Sequence, residues 1–184
     1  MLRTNFHPFP ELSTERLTLR RIVDADKDDL FLLRSDRGVM AYIDRPLAVT
    51  TEDAVKWIRV VDDTLLAGDG ITWGISLKGQ PALLGTIGLW RIVKEHYRAE
   101  IGYLLHPGYQ RRGLTQEAMV KVLDYGFSVI NLHSVEANVN PENEASCRLL
   151  EKNGFVREAY FKENHFYNGV FKDSFIYSLL TPLR

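Results

Sequence analysis

Two stretches of strand character on either side of one long helical stripe restrict the fold most. Ala99-Glu100-Ile101-Gly102-Tyr103-Leu104-Leu105 reads as a strand, and Val135-Glu136-Ala137-Asn138-Val139 as a shorter one. Between them, from Thr115 to about Ile130, Ala118, Met119, Val122, Leu123, Gly126, Phe127 and Ile130 recur on one face of a helix. A helix that joins two strands of one sheet predicts that the strands run parallel with a right-handed crossover.

The remaining pattern adds antiparallel strands to that unit. Leu17-Thr18-Leu19-Arg20 alternates apolar with polar and predicts a first strand, followed by a helix that Asp24 can cap and that buries Leu30 and Leu33. A second helix is predicted from Thr50 or Thr51. There a Thr-x-x-Asp capping box precedes Ala54, Ile58, Val61 and Leu65, and Gly68 stops it. Ile71–Leu77 and a strand from Leu83 to about Ile92 flank the turn Lys78-Gly79-Gln80-Pro81 and predict a hairpin. Asn143 to Asn153 reads as a helix with Ala145, Leu149 and Leu150 turned inward and Gly154 ending it. Tyr160–Tyr167 and Val170–Leu180 surround Asn168-Gly169, a strong signal for a tight hairpin. No repeat or linker divides the chain. The expectation is one α/β (α+β) domain over residues 1–184, with a mixed sheet and flanking helices.

Composition excludes several function classes. Lys plus Arg number 23 against 24 Asp plus Glu, a net charge of -1, which argues against a nucleic-acid partner. No stretch reaches the roughly 18 apolar residues of a membrane span, and the first residues lack the apolar run of a secretory signal, so the expected location is cytoplasmic with no membrane partner. Cys147 is the sole cysteine, which rules out an intramolecular disulfide and a multi-cysteine zinc site. The histidines at 7, 96, 106, 133 and 165 show no metal-ligand spacing, so no metal is expected. Trp57, Trp73 and Trp90 read as core or partner-facing aromatics. The exposed C-terminal strands suit either a monomer or a homodimer.

The chemistry concentrates where the Ala99–Leu105 strand passes into the long helix: Gln110-Arg111-Arg112-Gly113-Leu114-Thr115-Gln116-Glu117-Ala118. The first N–H groups of a helix lack intrahelical partners and its dipole favours anions, so a strand-loop-helix junction of this kind suits a pyrophosphate, with Gly113 allowing close approach. An irregular turn with solvated arginines explains the same residues equally well on local physics alone. Neither a P-loop nor a Gly-x-Gly-x-x-Gly fingerprint is present.

Gln110-Arg111-Arg112-Gly113-Leu114-Thr115 resembles the Gln/Arg-x-x-Gly-x-Gly/Ala coenzyme loop of the GNAT superfamily of N-acetyltransferases, with Thr115 in place of the usual small residue. The likeness extends to Thr14-Glu15-Arg16-Leu17-Thr18-Leu19-Arg20, Glu100-Ile101-Gly102-Tyr103, Asn140-Pro141-Glu142-Asn143-Glu144-Ala145-Ser146 and Glu151-Lys152-Asn153-Gly154-Phe155, and it is similar to the RimJ/RimL-type branch. The resemblance implies a mixed, mostly antiparallel twisted sheet whose parallel pair splays to admit the pantetheine arm of acetyl-CoA. It assigns the pyrophosphate to main-chain groups from Arg111 to Thr115 within the Gln110–Thr115 loop, including Arg112, Gly113 and Leu114. The pantetheine amides would pair with main chain at Leu104 and Leu105, and Asn143 would touch the coenzyme from the far wall. Asn143 is equally a natural helix-start residue.

Acetyl transfer from a thioester requires a deprotonated amine, a donor for the oxyanion and a proton for the thiolate. Glu100, on the strand bordering the expected cleft, is the candidate base, and a cross-strand ion pair is the competing role. A main-chain N–H near Leu105 fits the family's oxyanion donor. Ser146 aligns with the Ser of the family's Asn-x-x-Ser segment and is the candidate acid, against a role bonding its own helix. Tyr103 is the substitute donor. The acceptor implied is a primary amine, foremost a ribosomal-protein or other peptide N-terminal α-amine. Alternatives are an aminoglycoside or polyamine acceptor, or a non-catalytic acyl-CoA-binding module.

Overall fold

The structure is a computed structural model that describes residues 1–181. The strands are β1 (Leu12–Ser13), β2 (Leu17–Arg20), β3 (Ile71–Leu77), β4 (Gly85–Val93), β5 (Arg98–Leu105), β6 (Ser134–Val139), β7 (Val156–Tyr167) and β8 (Val170–Leu180). They form one sheet in the order β1-β2-β3-β4-β5-β6-β8-β7. Among the described residues only β5 and β6 pair in parallel; every other neighbouring pair is antiparallel. The helices are α1 (Lys27–Ser35), α2 (Thr51–Leu66), α3 (Leu114–Tyr125) and α4 (Glu144–Lys152). This is the mixed sheet with flanking helices that the sequence pattern predicts, and the mostly antiparallel order that the resemblance implies. Among the described residues no helix is long and apolar enough to cross a membrane.

Side chains alternate across a strand, so consecutive leucines serve opposite faces. Leu105 joins the larger core with Leu17, Leu19, Trp73 and the α3 residues Ala118, Met119, Val122 and Leu123. Leu104 joins a second cluster with Leu30 and Leu33 of α1 and Ala54 and Ile58 of α2. The stripe expected up to Ile130 is buried throughout, though the α-helix ends at Tyr125 and a π-helical turn carries Gly126–Ile130. The indole N–H of Trp73 donates to the Pro10 carbonyl at 2.7 Å, which is how its polar atom is satisfied in the core.

Several local expectations need correction. Asp24 does not cap α1: Val23 occupies the start of the preceding 3-10 turn, and Asp26 accepts from the Val23 N–H at 2.8 Å. Ala145 faces solvent, leaving Leu150 buried and Leu149 half-buried on the inner face of α4. β7 begins four residues earlier than Tyr160. Thr50 does open α2, with the Asp53 carboxylate accepting from its N–H at 3.1 Å, and Asn168 and Gly169 both adopt positive φ in the predicted hairpin.

Candidate active site

The parallel pairing of β5 with β6 consists of Arg98 with Ser134, Ala99 with Val135 and Glu100 with Glu136. Beyond Glu100 the strands part. β5 follows β4 to Leu105, held close where a side chain on Gly85 would come within 2.3 Å of the Leu104 carbonyl oxygen, while β6 follows β8. A cavity of about 340 Å³ opens beside this divergence. Its walls include Glu100, Gly102 and Tyr103 of β5, Ala137 and Asn138 of β6, and Asn143 and Ser146 at the head of α4. All three candidate catalytic residues thus meet in one cavity with Asn143.

The Tyr103 hydroxyl lies 2.6 Å from Ser146 Oγ. Burial pushes the Tyr103 phenol up to about 12, with the Ser146 hydrogen bond acting in the opposite direction. Ser146 therefore does not bond back along its own helix; its hydroxyl is turned to the cleft strand. Asn143 is the N-cap of α4, its Oδ1 accepting from the Ser146 N–H at 3.1 Å. The capping expectation is met, and the same bond fixes the turn that carries Ser146.

Glu100 sits at the apex of the gap with its side chain 18% exposed. Burial raises its pKa, opposed by the guanidinium of Arg91, whose Nη1 donates to Glu100 Oε2 at 3.0 Å. The cross-strand ion pair and the cavity position coexist, because Arg91 lies on β4 beside the register pair Trp90–Glu100. Arg98 pairs instead with Glu136 at 3.0 Å.

Part of the cavity wall comes from residues that sequence reasoning passed over: Asp44 and Arg45, from the loop between α1 and α2, and Asp173, which reach it together with Trp90. Asp44 joins that loop to the C-terminal hairpin, taking Lys172 Nζ as a partner and His165 Nε2 at 3.4 Å. Asp173 accepts from the Tyr160 hydroxyl and from the Glu163 N–H. These positions are far apart in sequence and belong to no motif; only the folding of a hairpin over a loop assembles them.

The loop before α3 lies outside this cavity's lining. Arg111 (φ 59) and Gly113 (φ 75) flank Arg112 in left-handed conformations, the alternation that turns successive main-chain N–H groups toward one concave side. Such a cradle fits a pyrophosphate. Leu114 is buried, whereas Thr115 is half-buried. Gln110 directs Nε2 to the Leu105 carbonyl at 2.9 Å and so braces the end of β5. The Arg112 guanidinium rests over the Tyr109 ring.

A sheet that splays at its parallel pair, with polar side chains in the gap and left-handed residues at the head of the next helix, is the architecture of an N-acetyltransferase fold. The chain belongs to the GNAT family: residues 16–156 match the acetyltransferase (GNAT) domain. It is 37% identical over 174 residues, 95% of this chain and 98% of the relative, to the uncharacterized N-acetyltransferase YoaA of Bacillus subtilis. A GNAT-family acetyltransferase from Bacillus anthracis superposes with a TM-score of 0.82 at 30% identity, covering 93% of this chain and 98% of the other. Spermidine N-acetyltransferase from Vibrio cholerae, in complex with CoA and spermine, does so with a TM-score of 0.78 at 26% identity, covering 89% and 95%.

Proposed function

We propose that the protein transfers an acetyl group from acetyl-CoA to the α-amine of a protein or peptide by direct attack within a ternary complex. The observation that carries this reading is the meeting of Glu100, Tyr103 and Ser146 in the gap where β5 and β6 part. Acetyl-CoA supplies an acyl group already activated as a thioester. Main-chain N–H groups from Arg111 to Thr115 hold its pyrophosphate, the Leu104 and Leu105 main chain aligns its pantetheine arm, and Asn143 contacts it from the α4 side. A main-chain N–H near Leu105 receives the oxyanion.

Glu100 draws the proton from the incoming ammonium through water, and Arg91 opposes the burial that disfavours the ionised carboxylate. Ser146, hydrogen-bonded to Tyr103 at 2.6 Å, hands a proton to the departing sulfur, and the second proton that the nitrogen loses as the amide forms restores the pair. An α-amine, with a reference pKa of about 7.7–8.0, asks less of the base than a lysine at about 10.4. Arg45 and Arg91 in the cavity wall oppose an acceptor bearing several positive charges. The protein-terminal acceptor also follows the resemblance to the RimJ/RimL-type branch, and cytoplasmic residence fits a chain whose only cysteine is free.

A polyamine is the second reading, favoured by the likeness to the Vibrio cholerae spermidine enzyme and by Asp44 and Asp173 at the cavity wall. Incubation with labelled acetyl-CoA, ribosomal-protein N-terminal peptides and polyamines, read by mass spectrometry and thiol release, decides between them. Label on peptide α-amines supports the proposal, and label on polyamines alone overturns its acceptor. Thiol release that no amine increases, despite stabilisation by CoA, would mean a binding module.

A further inference from the structure

The Thr14-Glu15-Arg16 segment precedes β2 and is remote in sequence from the loop at Arg111–Gly113, yet it fastens that loop. Both carboxylate oxygens of Glu117, in the first turns of α3, are engaged. Oε1 accepts from the Arg16 N–H at 2.8 Å and from the Thr14 hydroxyl, and Oε2 accepts from Arg16 Nε at 2.6 Å. The same guanidinium reaches further and donates through Nη1 to the Arg112 carbonyl at 3.0 Å.

We infer that Arg16 is a positioning residue for the coenzyme loop, holding the peptide between Arg112 and Gly113 in the orientation that aims the Gly113 N–H at a bound diphosphate; this rests on the acetyl-CoA reading above. A trans peptide is planar, so its C=O and N–H point in opposite directions, and a carbonyl tied to Arg16 sends the Gly113 N–H to the other side of the loop. Arg111 holds φ 59, a region that an L residue with a side chain adopts only when its surroundings impose it. The bond from Arg16 to the next residue's carbonyl is such a constraint. Glu117 completes the device. A bare carboxylate near the start of α3 would oppose an anion, but Arg16 neutralises it and is in turn aligned by it. Burial alone would raise the Glu117 pKa; the donors from Thr14 and Arg16 outweigh it, and the carboxyl is held below its ordinary range.

The test uses the full chain, CoA binding by calorimetry, and acetyl-transfer kinetics with whichever amine the wild type acetylates. Arg16→Gln is expected to raise the Kd for CoA and the KM for acetyl-CoA about tenfold, with kcat within about twofold and the amine KM unchanged. Arg16→Lys keeps the charge but lacks the second arm, and it is expected to behave like Arg16→Gln. Glu117→Gln removes a negative charge beside an anion site, which by charge alone tightens CoA; loss of affinity in this isosteric variant supports orientation instead. Full CoA affinity in Arg16→Lys, or tighter CoA binding in Glu117→Gln, overturns the inference. A wild-type protein that binds no CoA removes the functional reading together with it, whereas wild-type binding matched by Arg16→Gln removes the clasp alone.

Discussion

The phenol oxygen of Tyr103 and the hydroxyl oxygen of Ser146 stand 2.6 Å apart, joining the cleft edge of β5 to the first turn of α4. In the proposed mechanism the two side chains act as one proton donor. Removing either partner breaks the relay, so Ser146→Ala and Tyr103→Phe are each expected to lower kcat about a hundredfold, and the double variant to be little worse than either single one. Steady-state kinetics of all three check this. Independent, multiplying losses would show that the hydroxyls act separately.

Glu100 must be ionised to take a proton, and burial holds its pKa above the ordinary carboxylate range. The acidic limb of kcat/KM is therefore expected above that range. Arg91 opposes the burial effect, so Arg91→Gln makes ionisation harder and moves the limb to higher pH. A pH profile of both proteins reads the shift, and movement to lower pH would contradict the assignment of Glu100 as base.

Gly113 has φ 75 at the entry to α3. A β-branched side chain is strained in that conformation and crowds a ligand approaching the main chain. Gly113→Val is expected to weaken CoA binding about tenfold or more in calorimetry while the fold, followed by circular dichroism, persists.

The architecture was legible because its elements carry repeating patterns: the α3 stripe, the alternation in β2, and the Asn168-Gly169 turn each declare themselves within a few residues. Glu100, Tyr103, Asn143 and Ser146 were legible for a different reason, since motifs fix their places on elements that converge. Asp44, Arg91 and Asp173 were not. Arg91 owes its position to an irregularity between Trp90 and Val93 in the β4–β5 register, and Asp44 meets Lys172 across 128 positions of sequence. Neither a bulge nor a loop-to-hairpin contact has a periodicity to read. The reach of Arg16 to the Arg112 carbonyl is of the same kind.

Arg20 holds the buried Asp26 through two hydrogen bonds of 2.7 and 2.8 Å, and Asp26 also accepts from the Val23 N–H. Asp26→Ala leaves the half-buried guanidinium without its carboxylate, though still bonded to Ser76 and Pro81, and frees the turn that starts α1. Urea unfolding is expected to show a loss of about 3 kcal/mol. A loss below about 1 kcal/mol would mean that solvent compensates Arg20.

Asp44 ties the loop between α1 and α2 to the C-terminal hairpin through Lys172 and His165, at the cavity wall. Asp44→Asn is expected to raise the KM of the amine severalfold and leave CoA affinity unchanged. A change in CoA affinity instead would move Asp44 out of the acceptor side.

Only three residue pairs join β5 to β6, whereas the ladders on either side are longer. The sheet is in effect two leaves, β1 to β5 and β6 to β8, on one short hinge. Any molecule that bonds to the open edge of β5 supplies rungs the protein itself lacks, so it stiffens the enzyme as well as binding to it. Tyr103 on one leaf and the α4 serine that follows the other meet across that hinge.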